Sequence, residues 1–320
     1  MSLKDETKFI SGEVVYQNAG VGRTAVWEHI NALKQEGYII ESVSRKGYKL
    51  LQEGNTLIPE DIVDKLKDIS FGSKIHFFDT IESTNTYAKQ IALDGCEEGT
   101  LVLTDEQTMG RGRLGRTWIS KPKTAVLMSM VLRPSVHPTE ASKITQIAAA
   151  AIANALDKLI DMDVKIKWPN DVIINKRKIS GILTEMSSEL DNINYVIVGI
   201  GINVNDEEFS EEIKDIASSI KKETGEEISR SNLIINIVKE FEELYNDFVD
   251  TGSLQKTINT CRQKSITLNK RVKLVNRKET YEAQAIDLNE DGELIIKKDN
   301  GDIIKIVSGE VSVRGLYGYV

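Results

Sequence analysis

The densest chemistry in the chain lies in Gly110-Arg-Gly-Arg-Leu-Gly-Arg-Thr-Trp118. Glycines at 110, 112 and 115 permit positive φ and close approach of the backbone to a ligand. Arg111, Arg113 and Arg116 supply guanidinium forks matched to phosphate and carboxylate. The run lacks the Gly-Lys-Ser/Thr ending of a P-loop and does not open a helix behind a strand in the dinucleotide fashion. Taken by itself, a solvated Gly/Arg loop with affinity for nucleic acid is the plainer alternative. A second group is Lys167-Trp-Pro-Asn-Asp171, followed by Asn175-Lys-Arg-Lys178 and Ile179-Ser-Gly-Ile-Leu-Thr-Glu185. Turn chemistry alone accounts for Asn170-Asp171, while Lys178, between two strand-like runs, can turn one ammonium inward. A third group, Gly199-Ile-Gly-Ile-Asn203-Val-Asn205, sets glycines inside an apolar strand, the mark of a bulge or of another group passing close by.

The elements that must position these residues are readable in outline. Strand-like runs fall at 75–78, 100–104, 126–132, 164–167, 172–174 and 195–204, and helical patterns at 85–92, 139–160 and 232–249. This predicts an α+β catalytic domain, a mixed sheet with helices, over 58–268. From 269 to 320 short strands, punctuated by Asn289-Glu-Asp-Gly292 and Asp299-Asn-Gly301, predict a small β-barrel.

Residues 11–36 read as two short helices broken at Ala19-Gly20, with Ser11 as N-cap and Val26, Ile30 and Leu33 on one buried face. Arg23, Thr24, Trp27 and Asn31 are left on the surface. Tyr38–Leu51 reads as a hairpin tipped by Arg45-Lys46-Gly47, and Gly54–Pro59 as a linker. Residues 1–54 thus resemble a winged helix-turn-helix DNA-binding module, with Arg23, Thr24, Trp27, Asn31, Arg45 and Lys46 toward DNA. Residues 1–55 hold seven basic side chains (Lys4, Lys8, Arg23, Lys34, Arg45, Lys46, Lys49) and seven acidic ones (Asp5, Glu6, Glu13, Glu28, Glu36, Glu41, Glu53), so only local clustering can attract phosphate.

The 320 residues carry a net charge of −8, which excludes a chain basic throughout. Two cysteines, Cys96 and Cys261, build no disulfide framework, and no Cys/His cluster has metal-ligand spacing. The longest apolar run, Ile147–Ala153, is far short of the roughly 20 residues of a membrane span, and no signal segment opens the chain. A cytoplasmic protein is expected.

In order and spacing, Glu82-Ser-Thr-Asn-Thr-Tyr87, Gln107, Gly110–Trp118, Lys167–Asp171, Lys178 with Gly181, and Gly199–Val204 resemble the biotin–protein ligases. With the winged-helix-like start, nearly the whole chain is similar to the bifunctional form, which is also a biotin-responsive repressor. The resemblance implies biotinyl-5′-adenylate formation from biotin and ATP, then transfer to a lysine of a biotin carboxyl carrier protein. It implies biotin contacts from Ser83, Thr84, Asn85, Gln107, Arg111, Gly112, Arg113, Lys178 and Gly181, and adenylate contacts from Arg111, Arg113, Arg116, Trp118, Asn170 and Asn203. Lys178, Arg113 and Asp171 are the implied catalytic residues, with Mg²⁺ entering with ATP near Asp171. It also implies an SH3-like barrel at the C-terminus, operator DNA of biotin genes as partner, and a ligand-promoted homodimer. Gly22 stands where the family commonly has a serine N-cap, and Glu28 places a negative charge on the helix meant for DNA. The alternatives are a ligase with a non-DNA-binding N-terminal module, a lipoate or octanoate transferase on a related fold, and a sensor that has lost the chemistry.

Overall fold

Ser11 caps the first helix, α1 (Gly12–Ala19), by accepting the Val14 N–H, and Gly20, at φ 67°, closes it with its own N–H on the Tyr16 carbonyl. α2 (Arg23–Gln35) follows, and β1 (Ile39–Val43) pairs antiparallel with β2 (Gly47–Gln52). Helical spacing turns Val26 and Ile30 onto Ile40, with Leu33, Tyr38 and Tyr48 packed around them. Arg23, Thr24 and Trp27 are exposed, Asn31 is half-buried, and Arg45 and Lys46 stand exposed in the hairpin turn. This is a helix-turn-helix followed by a basic-tipped wing.

The computed structural model describes residues 9–35, 38–52, 55–275, 280–307 and 312–315. Lys4, Asp5, Glu6, Lys8, Glu36 and Glu53 of the charge balance, Gly54 of the linker, and 276–279, 308–311 and 316–320 of the C-terminal segment lie outside them. The chain divides into two units: the residues up to Ile58 with Ser229–Ser231, and all the others.

The second unit holds α3 (Pro59–Lys65), β3 (Ile75–Ile81), α4 (Thr84–Leu93), β4 (Leu101–Gln107), β5 (Ala125–Leu132), α5 (Ala141–Asp157), β6 (Lys165–Lys167), β7 (Asp171–Ile174), β8 (Arg177–Glu189) and β9 (Asn192–Asn203). It continues with α6 (Ile220–Thr224), α7 (Arg230–Thr251) and α8 (Gln255–Gln263). The sheet order is β3-β4-β5-β9-β8-β7-β6, with β3 and β4 parallel and the other pairs antiparallel. α4 covers β4, β5 and β9, and α5 covers β6 to β9, its buried run Ala148–Ala151 allowing close approach. This is the expected α+β mixed sheet.

The strand-like run that follows Lys178 is the inner part of β8, which extends beyond it to Glu189. The outer end, Ser187-Ser188-Glu189, is polar, and pairing with β9 alone holds it extended where local pattern does not. α3, α6 and α8 were likewise not read from sequence. Gly199 and Gly201 make no bulge, because β9 pairs continuously with β5 from Asn203 opposite Ala125 to Val196 opposite Leu132.

At the C-terminal end β10 (Arg271–Val275), β11 (Thr280–Leu288), β12 (Leu294–Lys297), β13 (Ile303–Ile306) and β14 (Ser312–Gly315) form an SH3-like antiparallel sheet in the order β13-β12-β11-β10-β14. Its turn at Asn289–Gly292 is set by the Asn289 side-chain oxygen, which accepts the N–H groups of Asp291 and Glu293. The Gly292 carbonyl accepts the Trp168 indole N–H at 2.9 Å and the Gln146 amide of α5 at 2.8 Å. A Cβ at Gly292 would lie 2.3 Å from Gln146 Nε2, so only glycine fits this contact.

Candidate active site

The site is built where α4 begins over the middle of the large sheet. The Thr84 N–H, without an intrahelical partner at the helix start, donates to Gln107 Oε1 at 2.7 Å, and the Thr84 hydroxyl donates to the same oxygen at 3.0 Å. The Ser129 hydroxyl of β5 lies 2.6 Å from Asn85 Oδ1 and 2.8 Å from Thr84 Oγ1. Asn85 Nδ2 donates to Glu185 Oε2 at 2.8 Å and to the Leu183 carbonyl at 3.3 Å. A Cβ at residue 199 would lie 2.1 Å from Asn85 Oδ1, which is why β9 carries glycine there. Ser83, Thr84 and Asn85 are all nearly buried, and Thr84, Asn85, Gln107, Ser129 and Glu185 form one connected polar network in this floor.

Beside it stands a charged cluster. Lys178 Nζ lies 2.7 Å from Asp171 Oδ1, Asp171 accepts from Asn170 Nδ2 at 3.0 Å, and Asn170 Oδ1 accepts from Arg113 Nη1 at 2.6 Å. Burial pulls the Arg113 guanidinium below its ordinary range, Asp171 opposes this, and Arg116 reinforces it. The loop that delivers Arg113 is a narrow hairpin: Trp118 N–H on the Gly110 carbonyl, Arg111 bridged to Thr117, and Gly112 N–H on the Arg116 carbonyl. Gly115 meets the expectation of positive φ, at 74°, whereas Gly110 is required by the loop itself, since a Cβ there would lie 2.5 Å from the Trp118 carbonyl oxygen. Gly112, at φ −123° with no crowding below 3.5 Å, shows neither constraint.

The indole of Trp118 rests on β9 and β8, and a Cβ at Gly201 or Gly181 would meet it at 2.6 or 3.1 Å. Its Nε1 is buried without a hydrogen-bond partner among the described residues, and Lys178 Nζ stands 5.8 Å from the ring centre. Ser83, Thr84, Asn85, Gln107, Arg111, Gly112, Arg113, Trp118, Asn170, Lys178 and Gly181 line one cleft, and Arg116 and Asp171 line the space adjoining it. Asn203 lines neither: it is buried at the end of β9, donating to the Ser218 carbonyl at 3.1 Å. A larger cleft shares Arg113 and Ile182 with the first and runs past the start of α5 to Asp291–Glu293. Sequence reading gave no role to Ser129, Glu185 or Lys89. For Ser129 there was a signal, one hydroxyl inside an otherwise apolar strand.

The profile of the Biotin/lipoate A/B protein ligase family matches residues 77–203, that of the biotin protein ligase C-terminal domain 267–314, and that of an HTH domain 2–49. The bifunctional ligase/repressor BirA of Bacillus subtilis is 38% identical over 309 residues, 96% of this chain and 94% of that protein. The chain belongs to the biotin–protein ligase family. The BirA of Escherichia coli is 27% identical over 98% of this family member and 96% of its own length. A biotin protein ligase from Aquifex aeolicus, solved in complex with biotin and ATP, superposes with a TM-score of 0.66 at 30% identity, over 76% of the chain and 99% of that structure.

Proposed function

We propose that this protein is an ATP-dependent biotin–protein ligase. The biotin carboxylate attacks the α-phosphorus of ATP, the bond to pyrophosphate breaks, and biotinyl-5′-adenylate forms. A lysine amine of a biotin carboxyl carrier protein then attacks the acyl carbon, AMP departs with the bonding pair, and the amine loses a proton. The carrying observation is that one cleft joins a polar floor to the Lys178–Asp171–Asn170–Arg113 cluster. The floor suits a cyclic urea, with donors and an acceptor in one ring. A lipoyl dithiolane, which has no N–H and no carbonyl, could make none of these hydrogen bonds, which disfavours the lipoate alternative.

Lys178 brings a compact positive charge to where carboxylate and phosphate must meet, and Asp171 holds it in place. Arg113 stabilises the phosphate and, through Asn170, closes the loop over the ligand, while Arg111 and Arg116 add phosphate contacts. Trp118 offers the adenosine a ring face and an unpaired N–H, while Asn203, which gives one amide proton to the Ser218 carbonyl, keeps its Oδ1 and second proton for a base contact. No group of three or more His, Cys, Asp or Glu among the described residues could hold a metal, and Asp171 is engaged by Lys178. Mg²⁺ therefore fits this site as part of the nucleotide substrate, held by its phosphates.

The same reading makes residues 1–54 a DNA-binding module, 58–268 the ligase and 269–320 its SH3-like appendage. Arg23, Thr24, Trp27 and Asn31 enter the groove, Arg45 and Lys46 meet phosphate, and adenylate-promoted homodimerisation brings two modules to an operator of biotin genes. No helix among the described residues is long and apolar enough to cross a membrane, and the proposed setting is the cytoplasm. A second reading, ligase without repression, is favoured by Glu28, which is exposed on α2.

Biotin- and ATP-dependent pyrophosphate release, with mass spectrometry of an added carrier domain, tests the ligase. One biotinyl group on a single lysine is expected; biotin binding with neither release nor transfer leaves only a sensor. Operator binding that appears only with biotin and ATP separates the two readings of the N-terminal unit.

A further inference from the structure

We infer that Glu185, braced by Lys89, fixes the polarity of the Asn85 amide, so that this part of the cleft floor is a hydrogen-bond acceptor and selects a ligand that donates an N–H. The inference rests on the biotin reading above and names what discriminates at that site. Asn85 has two amide protons, directed at the Leu183 carbonyl and at Glu185 Oε2. Both partners are acceptors only, so turning the amide by a half-rotation would set three oxygens against one another. Asn85 Oδ1 is thereby held nearer than Nδ2 to where a Cβ of residue 199 would stand, 2.1 against 2.9 Å, and 2.6 Å from the Ser129 hydroxyl, which donates to it.

The orienting acid is itself anchored. Lys89, one helical turn beyond Asn85 on α4, lies 2.5 Å from Glu185 Oε1, leaving Oε2 for the amide. Gln107 has its Oε1 occupied by a backbone N–H, that of Thr84, and its Nε2 lies toward Gly110 of the arginine loop. Of the two amides, Asn85 is therefore the one that can offer the cleft a fixed acceptor. Glu185 is absent from the residues lining the cleft and acts through Asn85, as a positioning residue.

Glu185→Gln inverts this logic with little change of shape. A glutamine at 185 meets two donors, Lys89 and Asn85, with one oxygen and one NH₂; giving its oxygen to Lys89 turns its NH₂ on Asn85 and favours an amide flip. Ser129 can follow by turning its hydroxyl to Thr84 Oγ1, 2.8 Å away. The Michaelis constant for biotin in pyrophosphate release should rise about 30-fold while that for ATP stays within about twofold, the scale of one buried hydrogen bond reversed. N-methylation of the biotin ureido ring, tested at each nitrogen, should cost wild type about 100-fold at one position and the variant less than about fivefold. An unchanged biotin constant, or an unchanged methylation penalty, overturns the inference.

A measurement on the unmutated chain guards against misfolding of the variant. In protein labelled with ¹⁵N-asparagine, the Asn85 NH₂ protons should exchange slowly and hold their shifts as biotin saturates. Large shifts on biotin addition would mean that the amide faces the ligand with its donors, and the inference fails. If wild type shows no biotin-dependent pyrophosphate release, the ligase reading falls instead, while the exchange of the Asn85 protons still reports the polarity.

Discussion

Lys178 sits against Asp171 at 2.7 Å, in a position partly screened from water, where removal of a single ammonium is felt strongly. Lys178→Ala should lower adenylate formation by about two orders of magnitude or more, measured as single-turnover pyrophosphate release; near-normal rates would remove Lys178 from its role. The proposed mechanism gives Arg113, hydrogen-bonded to Asn170, a different job, and Arg113→Ala should speed release of the bound intermediate about tenfold or more, read by filter-binding chase. An unchanged release rate would count against loop closure. Both residues were visible in the sequence because they sit in runs whose composition serves little else. Glu185 was not: it stood in a quoted segment, but its importance comes from Asn85, 100 positions earlier, which no local pattern connects to it. Gly112 shows the converse, a glycine in a telling motif whose backbone here has an ordinary conformation.

At the scale of elements, the Gly292 carbonyl of the C-terminal sheet holds Trp168, the residue just before Pro169-Asn170-Asp171, by its indole N–H. Trp168→Phe keeps the ring and loses the donor; it should reduce the rate of adenylation about tenfold with little change in melting temperature, and a loss of stability without that rate effect would show the contact to be only structural. Another element-level consequence concerns the end of β9. Burial raises the Asp206 carboxyl above its usual range, against opposing hydrogen bonds from the Thr124 hydroxyl and the Lys121 N–H. Its folded form therefore holds a proton more tightly than its unfolded form, and the stability it lends at acid pH is lost as pH rises toward the raised value. Asp206→Asn should gain melting temperature relative to wild type as pH goes from about 4 to 8; a gap that is constant across that range would contradict the assignment. Strands paired on both sides by apolar neighbours, such as β5 and β9, are legible, whereas the outer end of β8 is not, since it depends on pairing with β9 rather than on pattern.

For the molecule as a whole, the balanced charge over the first 55 residues places any attraction to DNA in a few positions, not in net charge. In the presence of biotin and ATP, Arg45→Ala should weaken binding to different DNA sequences about equally and reduce the slope of log affinity against log salt by about one per module. A slope that does not move would take the wing tip off the phosphate backbone. The order of parts, helix pair with wing, mixed sheet and small barrel, could be read from periodicity and turn residues. Their joining at Gly292 could not, because a backbone carbonyl leaves no mark in a side-chain pattern. That joint gives the molecule a schedule. A ribosome has already made every side chain of the Lys178–Arg113 cluster more than 100 residues before it adds Gly292, so the arm bearing Asn170 and Asp171, already paired to β8 at Gly181 and Ile182, gains its Trp168 anchor only when that glycine emerges and the last sheet folds. A stalled or nicked chain would hold the whole cluster with one anchor fewer.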